Sequence, residues 1–317
     1  MSMNKIKYFF QLVRWPNLLM IAVMMCLVYY CLMLPLPVTG IPSVLPSPAA
    51  FVMLLLSMVF IAAGGYVIND FFDTDADAIN KPDNLIVTKI FSKNETKIFY
   101  NVLTFVGLLM ALMSSIMIAK TKFFTLFALM LLLACVLYSY SSTYKKKLLA
   151  GNIIVSLSVS FAVFVPWLFE MIYLSSNVLI LSMVKDIMLY ILRFVLIYTA
   201  FAFITTLIRE IIKDAEDYDG DASIHCRSLP IVYGISKTKT IIYVLTISLI
   251  LFLVTYMYLL YKLQLFIALS IIMMVILSSI CLIVKISKAK EKKDYHTASN
   301  ISKFMMLIGL LSIIFMI

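Results

Sequence analysis

Nine apolar stretches of about twenty residues, separated by polar or proline-rich breaks, constrain this chain more than any other feature. They run roughly over 17–35, 49–72, 97–119, 122–142, 151–172, 187–213, 238–261, 264–285 and 299–317. A helix needs about 20 mostly apolar residues to cross a bilayer, because every backbone polar group in lipid must be satisfied within the spanning structure. Composition agrees. Of 317 residues 63% are hydrophobic and 13% charged, against about 25% charged in an ordinary soluble domain. So little polar surface excludes a soluble enzyme, a disordered chain and a nucleic-acid-binding domain. The reading is an all-α membrane protein of nine transmembrane helices, one domain over 1–317. The basic N-terminus MSMNKIKYFFQLVRW leads into the first run without a small-residue cleavage site, so it reads as a retained span rather than a signal peptide. Pro35, Pro37, Pro42, Pro46 and Pro48 mark a helix-free loop after that span.

Lysine and arginine fix an expected orientation. With the N-terminus cytoplasmic, 20 of the 26 lie on the cytoplasmic side, 4 lie opposite (Lys120, Lys122, Lys185 and Lys262), and Arg193 and Arg209 fall inside the sixth run. Such a bias is the positive-inside pattern. It places the C-terminus outside and the chain in an inner (plasma) membrane, and it accounts for the net charge of +10 without an acidic partner. Arg193 reads as an ion-paired or snorkelling residue. The five cysteines form no CxxC pair and there are only two histidines, so neither a zinc site nor a disulfide framework is expected. Nothing points to an obligate protein partner.

The acids are scarce and clustered. Of 16, five lie in 70–83 and six in 210–221. Asp70, Asp73 and Asp77 follow D-x2-D-x3-D, and so do Asp214, Asp217 and Asp221, each 144 residues later. On a continuous helix these steps keep the three side chains within about 60° of one another. Asp75 and Asp219 would point elsewhere. Three carboxylates on one stripe at a membrane helix mouth repel each other and resist desolvation. A hard divalent cation relieves that repulsion, and Mg²⁺ bound through one or two carboxylates keeps positions open for phosphate oxygens. The bland alternative is a pair of solvated acidic loops. It explains neither the scarcity of acids elsewhere nor the repeat at two equivalent places. Lys145, Lys146, Lys213 and Arg227 fall on the same side and suit phosphate, although KKK at 145–147 also serves topology alone. Arg209, beside Glu210, lies about one turn inside an apolar run, where it either pairs with an acid or faces a ligand.

These residues resemble a known family. GGYVINDFFDTDADAINKP (64–82) is similar to the N-D-x2-D-x3-D signature of the intramembrane prenyltransferases, the UbiA superfamily. REIIKDAEDYDGD (209–221) resembles their second Asp-rich motif, RSLPIVYG (227–234) their R-T-L-P-x3-G, YKKKLLAGN (144–152) their K-x5-G-N segment, and RWPN (14–17) their N-terminal R-x2-N. The resemblance implies a nine-helix bundle around a central cavity, and transfer of a prenyl group from a polyprenyl diphosphate with Mg²⁺, for which Mn²⁺ substitutes. Carried onto this chain, it implies that Asp70, Asp73, Asp77, Asp214, Asp217 and Asp221 hold metal, and that Asn69, Lys145 and Arg227 serve the diphosphate. Where the family has N-x-P-x-R-P, this chain has Asn84 and Leu85, so one basic contact is missing unless Lys81 or Lys89 supplies it. An allylic carbocation needs shelter from water and aromatic faces. Tyr66, Tyr138 and Tyr140 are the candidates near the inner ends.

The form K-D-x-E-D-x2-G-D in the second motif points to geranylgeranylglyceryl phosphate or a related ether-lipid precursor as acceptor. An aromatic acid of quinone synthesis, or haem, is the alternative. A divalent-cation transporter would place its acids near the bilayer midplane in inverted repeats; here the repeat is parallel and lies at helix ends.

Overall fold

The computed structural model describes residues 3–33, 47–80, 82, 85–118, 122–176 and 178–316. Its helices are α1 (Met3–Leu12), α2 (Trp15–Leu27, continued by a π-helical turn Val28–Met33), α3 (Pro48–Phe72), α4 (Thr74–Asn80), α5 (Lys93–Ile118), α6 (Phe123–Ser142), α7 (Ala150–Leu174), α8 (Val178–Glu216), α9 (Tyr218–Ser223), α10 (Leu229–Lys262), α11 (Phe266–Lys288) and α12 (Lys292–Leu311). Among the described residues, nine segments are long and apolar enough to cross a membrane: every helix except α1, α4 and α9. Pro35, Pro37, Pro42 and Pro46 lie outside the described residues, as do Lys81, Asp83, Asn84 and Lys120. Pro48 opens α3, where its missing N–H costs no helical bond.

Three helices start seven or more residues before their apolar runs: α8 begins at Val178 rather than 187, α10 at Leu229 rather than 238, and α12 at Lys292 rather than 299. Only in α12 is the added stretch polar (KKDYHTA); those of α8 (VLILSMVKD) and α10 (LPIVYGISK) are largely apolar, interrupted by Lys185 and Asp186 and by Gly234 and Lys237. In α12 the extra turns are set by a capping box between Glu291 and Asp294. α10 carries a kink at Gly234, whose φ is +80°.

The outer faces are apolar, as lipid requires: Phe105, Leu132 and Leu251 are each more than half exposed. Inside, helices meet through close approach and hydroxyl links. A Cβ on Gly107 of α5 would lie 2.8 Å from Ile61 Cγ1 of α3, so a larger residue would push these two spans apart. The Ser114 hydroxyl donates to the Ala50 carbonyl at 2.8 Å. Tyr198, Ser312 and Tyr256 form a buried hydroxyl chain with O···O distances of 2.7 and 3.2 Å. This packing brings residues of α2, α3, α6, α7 and α8 onto one cavity wall together with α4 and α9, which pack on each other.

Candidate active site

Both aspartate motifs contain a kink at their middle residue. α3 ends at Phe72, and Asp73 takes φ −86°, ψ 1° before α4 starts. α8 ends at Glu216, and Asp217 takes φ −96°, ψ 15° before α9 starts. Both lie in the bridge region of backbone space rather than the helical one. The continuous-helix stripe expected from sequence is therefore corrected: each motif is a long helix, a kink and a short helix. The hydrogen-bond ladder is kept across the kinks, with Asp77 N–H donating to Asp73 O at 2.8 Å and Asp221 N–H to Asp217 O at 3.1 Å. The Thr74 hydroxyl donates to the Phe71 carbonyl at 2.9 Å, where the ladder opens.

The kinked motifs line one polar cavity. Its walls carry Asp73 and Asp77 from the first motif, and Asp214, Asp217 and Asp221 from the second. Asp75 and Asp219 are exposed. With Glu210 there are six carboxylates, against four cationic side chains: Arg14, Lys145, Arg209 and Lys213. The excess of acid matters, because a bare diphosphate would be repelled unless cations entered with it.

The first motif is pre-paired. Asn69 Nδ2 donates to Asp73 Oδ2 at 2.6 Å, and Lys145 Nζ pairs with the same oxygen. Asp70 accepts from Arg14 at 2.6 Å instead of facing its stripe neighbours, and the Arg14 guanidinium lies 5.1 Å over the Tyr66 ring. Burial is the largest single influence on each and disfavours the cation, but the surrounding groups, led by Asp70 at Arg14 and by Asp73 at Lys145, together outweigh it, so both are held above their ordinary pKa. The second motif is less satisfied. Asp214 accepts from Asn152 Nδ2 at 2.9 Å. Asp217 Oδ1 is buried with no hydrogen-bond partner among the described residues. Burial pushes the Asp221 carboxyl up to about 6, with Lys145 opposing and Asp217 and Asp73 adding to the rise. Glu210 is held by Arg209 at 2.7 Å and Lys213 at 3.3 Å.

Other candidates fall elsewhere. Lys146 and Arg227 are exposed; what joins them is backbone, Arg227 N–H donating to Lys146 O at 3.1 Å. That bond fixes the short 3₁₀ turn Tyr144–Lys146 from which Lys145 enters the cavity. Tyr66 and Tyr140 line the cavity. Tyr138 is 43% exposed and packs on Phe72 of α3 and Tyr100 of α5 rather than on the cavity wall. Arg14, Asn17, Asn80 and Asn152 line the cavity without having been singled out as site residues. All four lie within motifs already read, Asn80 as the first residue of the stretch that matches N-x-P in N-x-P-x-R-P.

An apolar groove adjoins the polar cavity. Ile21, Met58, Ala62, Gly65, Leu133, Leu137 and Ala162 line it together with Tyr66, which the two share. Tyr66 thus borders a charged cavity and an apolar groove.

A relative named digeranylgeranylglyceryl phosphate synthase, from Saccharolobus solfataricus, is 33% identical over 192 residues, 60% of this chain and 59% of that protein. The match therefore spans less than two thirds of that relative's length. A solved structure described as concerning digeranylgeranylglyceryl phosphate synthase in membranes superposes with a TM-score of 0.61 at 23% identity, covering 98% of both chains. A UbiA homologue from Archaeoglobus fulgidus, solved with GPP and Mg²⁺, superposes with a TM-score of 0.59 at 16% identity, covering 96% of this chain and 99% of that one. The model of the UbiA prenyltransferase family matches residues 33–308. The chain belongs to the UbiA prenyltransferase family.

Proposed function

We propose that this chain, as one membrane domain, transfers a prenyl group from an allylic polyprenyl diphosphate to the hydroxyl of a glycerophosphate ether-lipid precursor, geranylgeranylglyceryl phosphate or a close analogue. The observation that carries the reading is an acid-rich polar cavity and an apolar groove that share Tyr66 as a wall. A prenyl diphosphate has the same two-part character. The named relative supports the choice of acceptor.

Mg²⁺ fits the donor set. Among the described residues, no three carboxylate, imidazole or thiol groups already converge as a cage. Mg²⁺ needs no such cage, since it keeps waters and binds through one or two carboxylates plus substrate phosphate. The orphaned Asp217 Oδ1 is a ligand atom waiting for a cation. Asp73, Asp77, Asp214, Asp217 and Asp221 would hold the metal. When bound, it would neutralise the departing diphosphate. Lys145 and Arg14 place fixed positive charge beside the same region, with Arg209 and Lys213 deeper in the cavity. The bond from the allylic carbon to diphosphate oxygen breaks, a C–O bond to the acceptor forms, and the departing diphosphate takes up the acceptor's hydroxyl proton. Tyr66 and Tyr140 present aromatic faces to the developing cation, and the apolar groove excludes water. The motifs and the N-terminus face the cytoplasm in this reading, with the C-terminus outside.

The test is product identification by mass spectrometry, with purified protein, Mg²⁺, geranylgeranyl diphosphate and a panel of acceptors. The reading predicts an ether-linked product with geranylgeranylglyceryl phosphate. Product formed only with an aromatic acid would overturn the acceptor, and no prenylated product with any acceptor would overturn the activity.

A further inference from the structure

We infer that Asn80 is a positioning residue that frees the Asp217 carboxylate for the metal by capping α9 in its place. A helix start leaves orphan N–H groups, and an aspartate at the N-cap ordinarily turns its own side chain back to satisfy one. Asp217 is the N-cap of α9, yet its side chain makes no capping bond. The N–H it would have served belongs to Gly220, and it donates instead to Asn80 Oδ1, on α4, at 2.9 Å. The other end of the same amide donates to the Asp217 carbonyl at 3.1 Å. One side chain of the first motif's helix thus satisfies the Gly220 N–H and adds a second donor to the Asp217 carbonyl, which already accepts from the Asp221 N–H. The carboxylate released from capping is the one whose Oδ1 is buried without a partner, on the cavity wall.

Two neighbours fix the clamp. A Cβ on Gly220 would lie 2.2–2.6 Å from three atoms of the Asn80 side chain, so the amide fits only over a glycine. Lys292 Nζ, at the start of α12, donates to the Asn80 carbonyl at 2.7 Å and ties the end of α4 to a membrane span. Without the amide, the Gly220 N–H is open to the Asp217 carboxylate, the ordinary capping group at that position, and a carboxylate drawn into that bond is taken from the metal. Asn80 therefore acts on metal binding through Asp217 and touches neither metal nor substrate.

This inference rests on the reading of Asp217 as a metal ligand, and a double-mutant cycle separates the two. Mg²⁺ alone is titrated calorimetrically into the full-length chain in detergent, for wild type, Asn80→Ala, Asp217→Asn and the double variant. The expected result is about tenfold weaker Mg²⁺ binding for Asn80→Ala. Asp217→Asn should be at least as weak, and the double variant within about twofold of Asp217→Asn. Asn80→Ala binding like wild type while Asp217→Asn is weakened would overturn the role of Asn80 and leave the metal site standing. Losses that simply add in the double variant would also overturn it, since Asn80 would then act through some other group. Unweakened binding by Asp217→Asn would overturn the ligand itself, and the inference with it. If Asn80→Ala is not recovered folded, Gly220→Ala evicts the amide by contact while leaving α4 intact, and carries the same cycle with the same outcomes.

Discussion

The two aspartate motifs share a spacing and a kink but differ in what their carboxylates already touch. In the first, Asp70 is held by Arg14, and Asp73 by Asn69 and Lys145. In the second, Asp217 keeps a buried oxygen without a partner among the described residues, and burial raises the Asp221 carboxyl to about 6. A buried carboxylate that no cation or donor meets is costly. The first motif is settled by the protein's own cations, and the second keeps an oxygen that none of them meets. The repeat is one of geometry, and the electrostatics divide the labour.

Chelation has the largest expected effect. Prenyl transfer should fall to background in EDTA and return with Mg²⁺ or Mn²⁺, as followed by product mass spectrometry.

Next, charge removal should hurt activity alike but stability oppositely. Asp73→Asn and Asp217→Asn should each lower the rate by on the order of 10²–10⁴. Thermal unfolding in EDTA separates them. Asp73→Asn strips Lys145 of its partner and should cost about 1–2 kcal/mol, a partly exposed pair being worth less than a buried one. Asp217→Asn removes an unsatisfied charge and should unfold at the same temperature as wild type or higher. Equal losses of stability would erase the contrast between the motifs.

The smallest effects belong to the exposed neighbours. Asp75→Asn and Asp219→Asn should change the rate by less than about threefold, as surface substitutions away from special features do little. A loss comparable to Asp217→Asn would mean that the kinks do not sort the acids as described.

Much of this was legible in sequence, for physical reasons that also mark where reading failed. The spans could be read because lipid demands an unbroken apolar run. The polar start of α12 at Lys292 could not, since helix in water carries no hydropathy signal, and the starts of α8 and α10 are hidden by Lys185 and Asp186 and by Gly234 and Lys237 within apolar stretches. The separation of Asp73 and Asp77 from Asp75 followed from spacing, although the helix is not continuous; one residue in the bridge region leaves the neighbouring turns nearly in phase. Asp70 was placed on the stripe, but its fate depended on Arg14, 56 residues away. Lys146, Arg227 and Tyr138 were drawn in by motif or proximity, and a motif gives a neighbourhood without a side-chain direction. Asn80 was missed because an asparagine at a helix end is an ordinary stop signal, and its partner lies 140 residues on at Gly220.

The central claim is that both motifs grip the same metal–diphosphate complex. Anomalous scattering from Mn²⁺ in crystals grown with an unreactive prenyl diphosphate analogue tests it most directly. The account predicts manganese between the two motifs, with Asp73 or Asp77 on one side, Asp217 or Asp221 on the other, and diphosphate oxygens completing the shell. Manganese bound by one motif alone, or a diphosphate seated away from both, would contradict it.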